Sequence, residues 1–300
     1  MKDKGNKKIK GTTDGGVEMA DCVTITGFAD EIDPMLDKQM EVLKKLGISH
    51  VEMRRADAKN LVDYPIKEVK QIKSRLDAGG IRLSAVGSPI GKIGIADDFA
   101  PHMEQFKHTV EIAHEMETPY IRIFSFFIPE GEERTAYREA VLERLGQFVD
   151  YAASNDVILL HENEKNIYGE KAPECLEIMK NFYGDHFKAV FDFANFVQVR
   201  QDTLEAYEML KPYVEYVHIK DARWSDGTVV PAGYGDGHVK EILKQLKESG
   251  YHGYLSLEPH LTNFVGFSDL EQGGKIGKKL TGEEAFTLAY DSLKKLLKEI

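Results

Sequence analysis

The sequence predicts one α/β domain, a (β/α)8 TIM barrel preceded by a short disordered tail. Three observations lead there. Eight short apolar runs alternate with amphipathic stretches, helix start and stop signals fall between the runs, and ionisable residues stand where several runs end. Three hundred residues is long for one domain, but a barrel of this kind takes about 250 in one piece.

The first 18 residues, MKDKGNKKIKGTTDGGVE, are rich in Lys and Gly and offer almost nothing to bury. Residues 1–18 are therefore expected to be a disordered tail and 19–300 the barrel. The basic start has no apolar h-region behind it, which argues against a signal peptide. Met19 directly precedes the first strand, and the natural chain or its folded part is expected to begin near there.

The expected strands are 22–28 (CVTITGF), 48–53 (ISHVEM), 81–87 (IRLSAVG) and 119–125 (PYIRIFS), then 157–162 (VILLHE), 188–193 (KAVFDF), 214–219 (VEYVHI) and 253–258 (GYLSLE). They are short, rich in Val, Ile and aromatics, and too apolar for a half-solvated sheet, as buried parallel strands are. Between them, Asp33-Pro34 reads as an N-cap and first helical residue ahead of Leu36, Met40 and Leu43. Pro65 opens the second helix, and Thr281 with Glu284 forms a capping box for the last. Gly47, Gly79-Gly80 and Gly250 are expected to stop helices in the left-handed conformation. An open doubly wound sheet is the alternative, but GFADEID after the first strand is no glycine-rich phosphate loop.

The formal net charge of −11 argues against a nucleic-acid partner, which needs a basic face. No apolar run approaches 18 residues, so no membrane span is expected. Cys22 and Cys175 are far apart and form no metal or redox motif, which points to a reducing cytoplasm.

In a barrel, functional groups project from the C-terminal ends of the strands. Strand 5 ends in LLHEN with Glu162, strand 6 in VFDFAN with Asp192, strand 7 in VHIKD with His218 and strand 8 in LSLEPH with Glu258. By alternation Leu160, Glu162 and Glu164 share a face, as do Tyr216, His218 and Lys220, and Ser256, Glu258 and His260. If those faces point at the barrel axis, three carboxylates and an imidazole converge at the mouth. Like charges so close need protons or a cation. One divalent ion serves, and three oxygen donors with one nitrogen suit Mn2+ first, then Mg2+ or Co2+, with Zn2+ as a further substitute.

At this point GFADEI, LGISHVEMR, AVGSPIGKI, IRIFSFF, HENE, FDFANF, VHIKDA and GYHGYLSLEPH resemble the xylose isomerase-like TIM-barrel superfamily, in particular its sugar phosphate isomerase/epimerase group. The likeness runs from about residue 24 to the end. It implies that Glu162, Asp192, His218 and Glu258 hold the metal and that the catalytic Glu162 and Glu258 also move protons. The implied function is a divalent-metal-dependent isomerase or epimerase of a small sugar, sugar phosphate or hydroxy-ketone, working through an ene-diolate. The same scaffold also carries dehydratases of keto-inositol or dehydroshikimate, and a barrel that binds sugar or metal without turnover is a further alternative. Ketose 3-epimerases often have a histidine three residues after the strand-6 aspartate. Asn195 stands there in this chain, where its amide can hydrogen-bond a sugar oxygen but cannot shuttle a proton. Endonuclease IV belongs to the superfamily too, but the D-x-H of Asp236-Gly237-His238 falls where a helix cap is expected, and the acidic charge opposes a nuclease.

Several rim residues are candidates for binding the substrate, a small sugar-like molecule. Lys220 can neutralise the carboxylates or hold a substrate hydroxyl or carboxylate, and Asp221 can cap or orient the cluster. His260 lies just beyond Glu258, and Ser88 and Lys92 sit in the SPIGK segment, polar and glycine-containing enough to touch an anionic substrate group. Phe126 and Phe127 can stack on a sugar face. Arg122, mid-strand, is expected to pair with Glu52 or another interior carboxylate, while His161 points away from Glu162 into packing. The stretch 260–280 is too long for a plain barrel connection and reads as a lid, a binding loop or a subunit contact, so a homo-oligomer is compatible with it.

Overall fold

The computed structural model describes residues 19–262 and 279–300. The expected tail and most of the 260–280 stretch lie outside the described residues.

Eight strands form one parallel sheet: β1 (Thr24–Gly27), β2 (His50–Met53), β3 (Arg82–Gly87), β4 (Tyr120–Ile123), β5 (Ile158–Glu162), β6 (Phe187–Asp192), β7 (Val214–Ile219) and β8 (Tyr254–Leu257). From β2 to β8 each strand pairs with the next, and β8 pairs with β1 from Thr24↔Tyr254 to Gly27↔Leu257. Among the described residues, β2 hydrogen-bonds β3 only and lies against β1 across a seam, so the barrel is nearly closed. Every expected strand is present, most of them trimmed by a residue or two, because the ladder ends before the apolar run does. A short helix over Met19–Cys22 takes the start of the first run, with Met19 fully buried.

The eight outer helices are α1 (Leu36–Lys45), α2 (Ile66–Gly79), α3 (Phe99–Glu115), α4 (Arg138–Ser154), α5 (Ala172–Phe182), α6 (Thr203–Leu210), α7 (Val239–Glu248) and α8 (Gly282–Glu299), with an extra helix over Phe193–Gln198. Their apolar stripes cover the outside of the sheet in one continuous core. The stop signals act as expected: Gly47, Gly80 and Gly250 have φ of 72°, 69° and 77°. Thr281 and Glu284 complete the capping box of α8. Asp33 is a correction. Its side chain accepts from Met35 N (2.8 Å) in a turn, and α1 starts only at Leu36, whose N–H donates to Asp57 (3.0 Å). A cap borrowed from the β2–α2 loop leaves no local sequence signature.

Inside the barrel the side chains form layers. Tyr120, Tyr216 and Tyr254 pack as the floor beneath Ala85, Leu160 and Val190. Hydroxyls lie in contact with that floor: Tyr216 meets Ser84 at 2.8 Å, and Ser84 meets Thr26 at 2.9 Å. The ionised groups crowd the open, C-terminal end. Hydrophobic mass at one end and charge at the other is how this barrel stays filled yet keeps a polar mouth.

The SPIGK segment is woven into the scaffold beside β4. Phe124 N donates to Ile90 O, Phe126 N to Gly91 O and Phe127 N to Ile93 O, at 2.8, 2.9 and 2.8 Å. Gly91 has φ +86°, and a Cβ there would lie 2.0 Å from Phe124 O. Gly91→Ala is expected to destabilise the fold by about 3 kcal/mol, combining left-handed strain with a backbone clash. Urea unfolding would read this as a lower midpoint at unchanged slope, and an unchanged midpoint would contradict it.

Candidate metal centre

β5 and β6 end on Glu162 and Asp192, His218 is the penultimate residue of β7, and Glu258 follows β8 by one residue. Parallel strands in register therefore deliver all four side chains to one level of the mouth. One ligand atom from each lies within 4.8 Å of all the others, and all four residues are buried. His218 Nδ1 is 3.2 Å from Glu162 Oε1, 3.8 Å from Asp192 Oδ2 and 3.9 Å from Glu258 Oε2. Ligands about 2.1 Å from a shared ion stand roughly 3–4.2 Å apart, so the set fits a divalent cation.

Hydrogen bonding supports the fit. Buried polar atoms normally make well-formed hydrogen bonds, yet His218 Nδ1 and Asp192 Oδ2 face each other with only ion-pair contacts of poor hydrogen-bond geometry, to Glu162 (3.2 Å) and Lys220 (3.0 Å). The other imidazole nitrogen, Nε2, lies 3.1 Å from Glu52 Oε2, which also accepts from Ser256 Oγ at 2.6 Å. A carboxylate on Nε2 orients the ring and leaves the Nδ1 lone pair for a metal.

Without an ion the cluster neutralises itself. Burial disfavours a charged His218, but the Glu52 and Glu162 carboxylates outweigh it and hold the imidazole well above its usual range. Burial likewise opposes charge on Glu162, where His218 and Arg122 prevail and pull the carboxyl down to about 2. Asp192 goes the other way: burial pushes it up to about 7 despite Lys220. Glu258 shares that lysine and is held low against burial, because Lys220 is closer to it (2.6 Å against 3.0 Å) and His260 and Arg54 add their charges. Of Glu162, Asp192 and Glu258, Asp192 is thus the one in which burial prevails and raises the affinity for a proton.

The remaining predicted residues fall into three groups. Lys220, buried, bridges Glu258 and Asp192. Asn195 directs its amide to Glu162 Oε1 (3.2 Å) and Asn163 O (2.9 Å), so it steadies the cluster with the donors expected to reach a sugar. At the rim, His260 is half-exposed, with Nε2 3.1 Å from Glu31 and 3.5 Å from Glu258. Lys92 pairs with Glu164 at 3.1 Å over the Phe124 ring.

Ser88 is buried under the rim, its hydroxyl donating to Arg122 O while its carbonyl accepts from the Arg122 guanidinium. Phe126 points into the outer core against Phe99 and Phe148, whereas Phe127 is exposed. His161 packs against Phe187, and burial lowers its pKa to about 4. Asp236-Gly237-His238 leads into α7, with His238 bonded to Thr203, away from the ligand set. Asp221 neither caps nor orients the metal cluster. Its buried carboxylate accepts four backbone N–H groups instead.

Arg122 pairs with Glu162 (2.9 Å), an interior carboxylate as expected. Two connections had no forewarning in the strand pattern, the first being Glu52 to His218 (3.1 Å). Arg54, after β2, reaches Asp30 (2.9 Å) and Glu258 (3.7 Å) and lies over the Phe28 ring, whose edge meets His218. The acidic pair in GFADEI was the available signal, since it places Asp30 and Glu31 at the mouth.

The profile of the xylose isomerase-like TIM barrel family matches residues 40–297, and the chain belongs to that family. Among its relatives, a 2-oxo-tetronate isomerase of Haemophilus influenzae is 23% identical over 250 residues, covering 79% of this chain and 92% of the relative. A 3-dehydroshikimate dehydratase of Bacillus anthracis is 20% identical over 134 residues, 45% of this chain, and the match spans only 48% of that relative. In three dimensions the chain superposes on the IOLI protein with a bound zinc atom, with a TM-score of 0.70 at 16% identity, over 92% of this chain and 99% of that one. Both sequence relatives are enzymes by name. Among the described residues, no helix is long and apolar enough to cross a membrane.

The wild-type protein is expected to bind about one divalent ion per chain. Asp192→Ala and His218→Ala should each weaken that binding at least tenfold without unfolding the barrel, whose core lies elsewhere. Elemental analysis with circular dichroism on the same samples checks both halves, and full metal content in both variants would refute the ligand set.

Proposed function

We propose that the chain is a divalent-metal-dependent isomerase or epimerase of a small sugar, sugar phosphate or hydroxy-ketone, with Mn2+ as its ion. One observation carries this reading: Glu162 and Glu258 reach the same ligand cluster from strands that are not neighbours, each with a carboxylate at hand for a proton. A bound ion supplies the Lewis acid that withdraws electrons from a ketone oxygen and its neighbouring hydroxyl, which acidifies the C–H between them.

The chain's own residues do the rest. Arg122 on Glu162 and Lys220 on Glu258 keep both carboxylates ionised and fixed, so either can accept a proton from that carbon. His260, half-exposed and 3.5 Å from Glu258 Oε1, offers that glutamate an exit to solvent for the proton. Abstraction by one glutamate and return by the other inverts the carbon, whereas return at the adjacent carbon moves the carbonyl. The dehydratase relative favours a second reading, in which the same abstraction is followed by loss of hydroxide. Free thiols at Cys22 and Cys175 suit a reducing cytoplasm as the place of action.

Glu162→Gln and Glu258→Gln, tested at saturating metal with loading verified, should each lower kcat at least a hundredfold, about 3 kcal/mol of barrel-mouth chemistry, with a much smaller change in KM. In D2O, deuterium should enter the substrate at the α-carbon during wild-type turnover. Turnover without exchange would point to a direct hydride shift between carbons and remove the glutamates from proton transfer.

A further inference from the structure

In (β/α)8 enzymes an anionic substrate group commonly binds to backbone N–H groups in the loops after the seventh and eighth strands. The β7–α7 loop of this chain builds such a nest and fills it from within. The N–H groups of Gly233, Gly235 and Gly237 converge at 3.0, 3.0 and 2.9 Å on the carboxylate of Asp221, and Ala222 N adds a fourth bond at 2.8 Å. Asp221 is fully buried. A Cβ at Gly235 or Gly237 would lie 2.4 or 2.7 Å from its Oδ1, so the glycines are needed for the loop to close on the carboxylate.

The side-chain cations are committed too. Among the described residues, the basic groups that reach the cluster each have a carboxylate within 3.1 Å: His218 has Glu52, Arg122 has Glu162, Lys220 has Glu258, Arg54 has Asp30, Lys92 has Glu164 and His260 has Glu31. With Asp192 added, the carboxylates outnumber the bases, His218 included, so these side chains leave no surplus of positive charge for an anion. A phosphate or carboxylate entering here must displace a carboxylate from its cation, and at Arg122 and Lys220 that strands a buried partner. A hydroxyl donates to the carboxylates and accepts from the cations with the pairs intact.

We propose that this site takes an uncharged polyhydroxy ketone and rejects phosphorylated and carboxylated ones. The inference rests on the isomerase or epimerase reading above and narrows its substrate class. The test uses full-length, Mg2+-loaded protein and matched pairs: D-fructose against D-fructose 6-phosphate, and D-xylulose against D-xylulose 5-phosphate, with D-gluconate as the carboxylate. In calorimetry the neutral member of a pair should bind at least tenfold tighter than the anion. Equal or tighter binding of the anion overturns the inference, including binding contributed by residues 263–278, which lie outside the described residues. Neutral ketoses that bind without deuterium exchange at the α-carbon would defeat the isomerase reading and leave the inference standing.

A second arm probes the nest directly with inorganic phosphate. Asp221→Ala should melt lower than wild type and recover part of the loss in millimolar phosphate, while wild type gains nothing beyond an equal ionic strength of chloride. A phosphate-specific gain in wild type would reveal an open anion site and overturn the inference. If the alanine variant does not fold, Asp221→Asn and the wild-type measurement carry the same comparison.

Discussion

Mutual repulsion among the buried carboxylates at one end of the barrel sets the terms for the rest of the structure. Glu52, Glu162, Asp192 and Glu258 all lie in the interior, where water screens little. They can share that space only because a cation is placed beside each: His218 between Glu52 and Glu162, Arg122 on Glu162, and Lys220 between Asp192 and Glu258. Those cations are themselves buried, so neither set is tolerable without the other. The outer aromatic packing, the tyrosine floor and the hydroxyl layer form the rigid frame that holds this balance.

The same arrangement explains why the mouth suits a metal. Local pairing neutralises the cluster but leaves His218 Nδ1 and Asp192 Oδ2 with ion-pair contacts and no well-formed hydrogen bond. Both face the middle of the group, where the other two carboxylates also converge. Buried polar atoms that lack a well-formed hydrogen bond are uncommon, and here their positions match one coordination sphere.

The fold was legible because each barrel strand and each glycine stop is encoded locally, in about ten residues of chain. The four converging residues were legible for a related reason: side-chain alternation and the strand ends place Glu162, Asp192, His218 and Glu258 on inward faces at one level. What a single stretch could not show was which charge met which across the barrel. Arg122 had two interior carboxylates to choose from, and the register between β4 and β5 decided for Glu162. Asp221 looked like part of the cluster because it follows Lys220, yet alternation turns it outward to a loop whose spaced glycines carry meaning only once folded. Asp33 failed as a cap because a competitor, Asp57, arrives from another loop.

Among the described residues, β2 has a ladder on one side only, toward β3, and faces β1 across the unladdered seam. Yet Glu52 on β2 grips Ser256 on β8 and His218 on β7, on the far side of that seam. The polar bonds of the mouth therefore work as a cross-brace, tying the loose stave of the barrel to the opposite wall. Mechanical closure of the barrel and alignment of the imidazole are consequently one property: a breathing motion that opens the seam also swings His218 out of line.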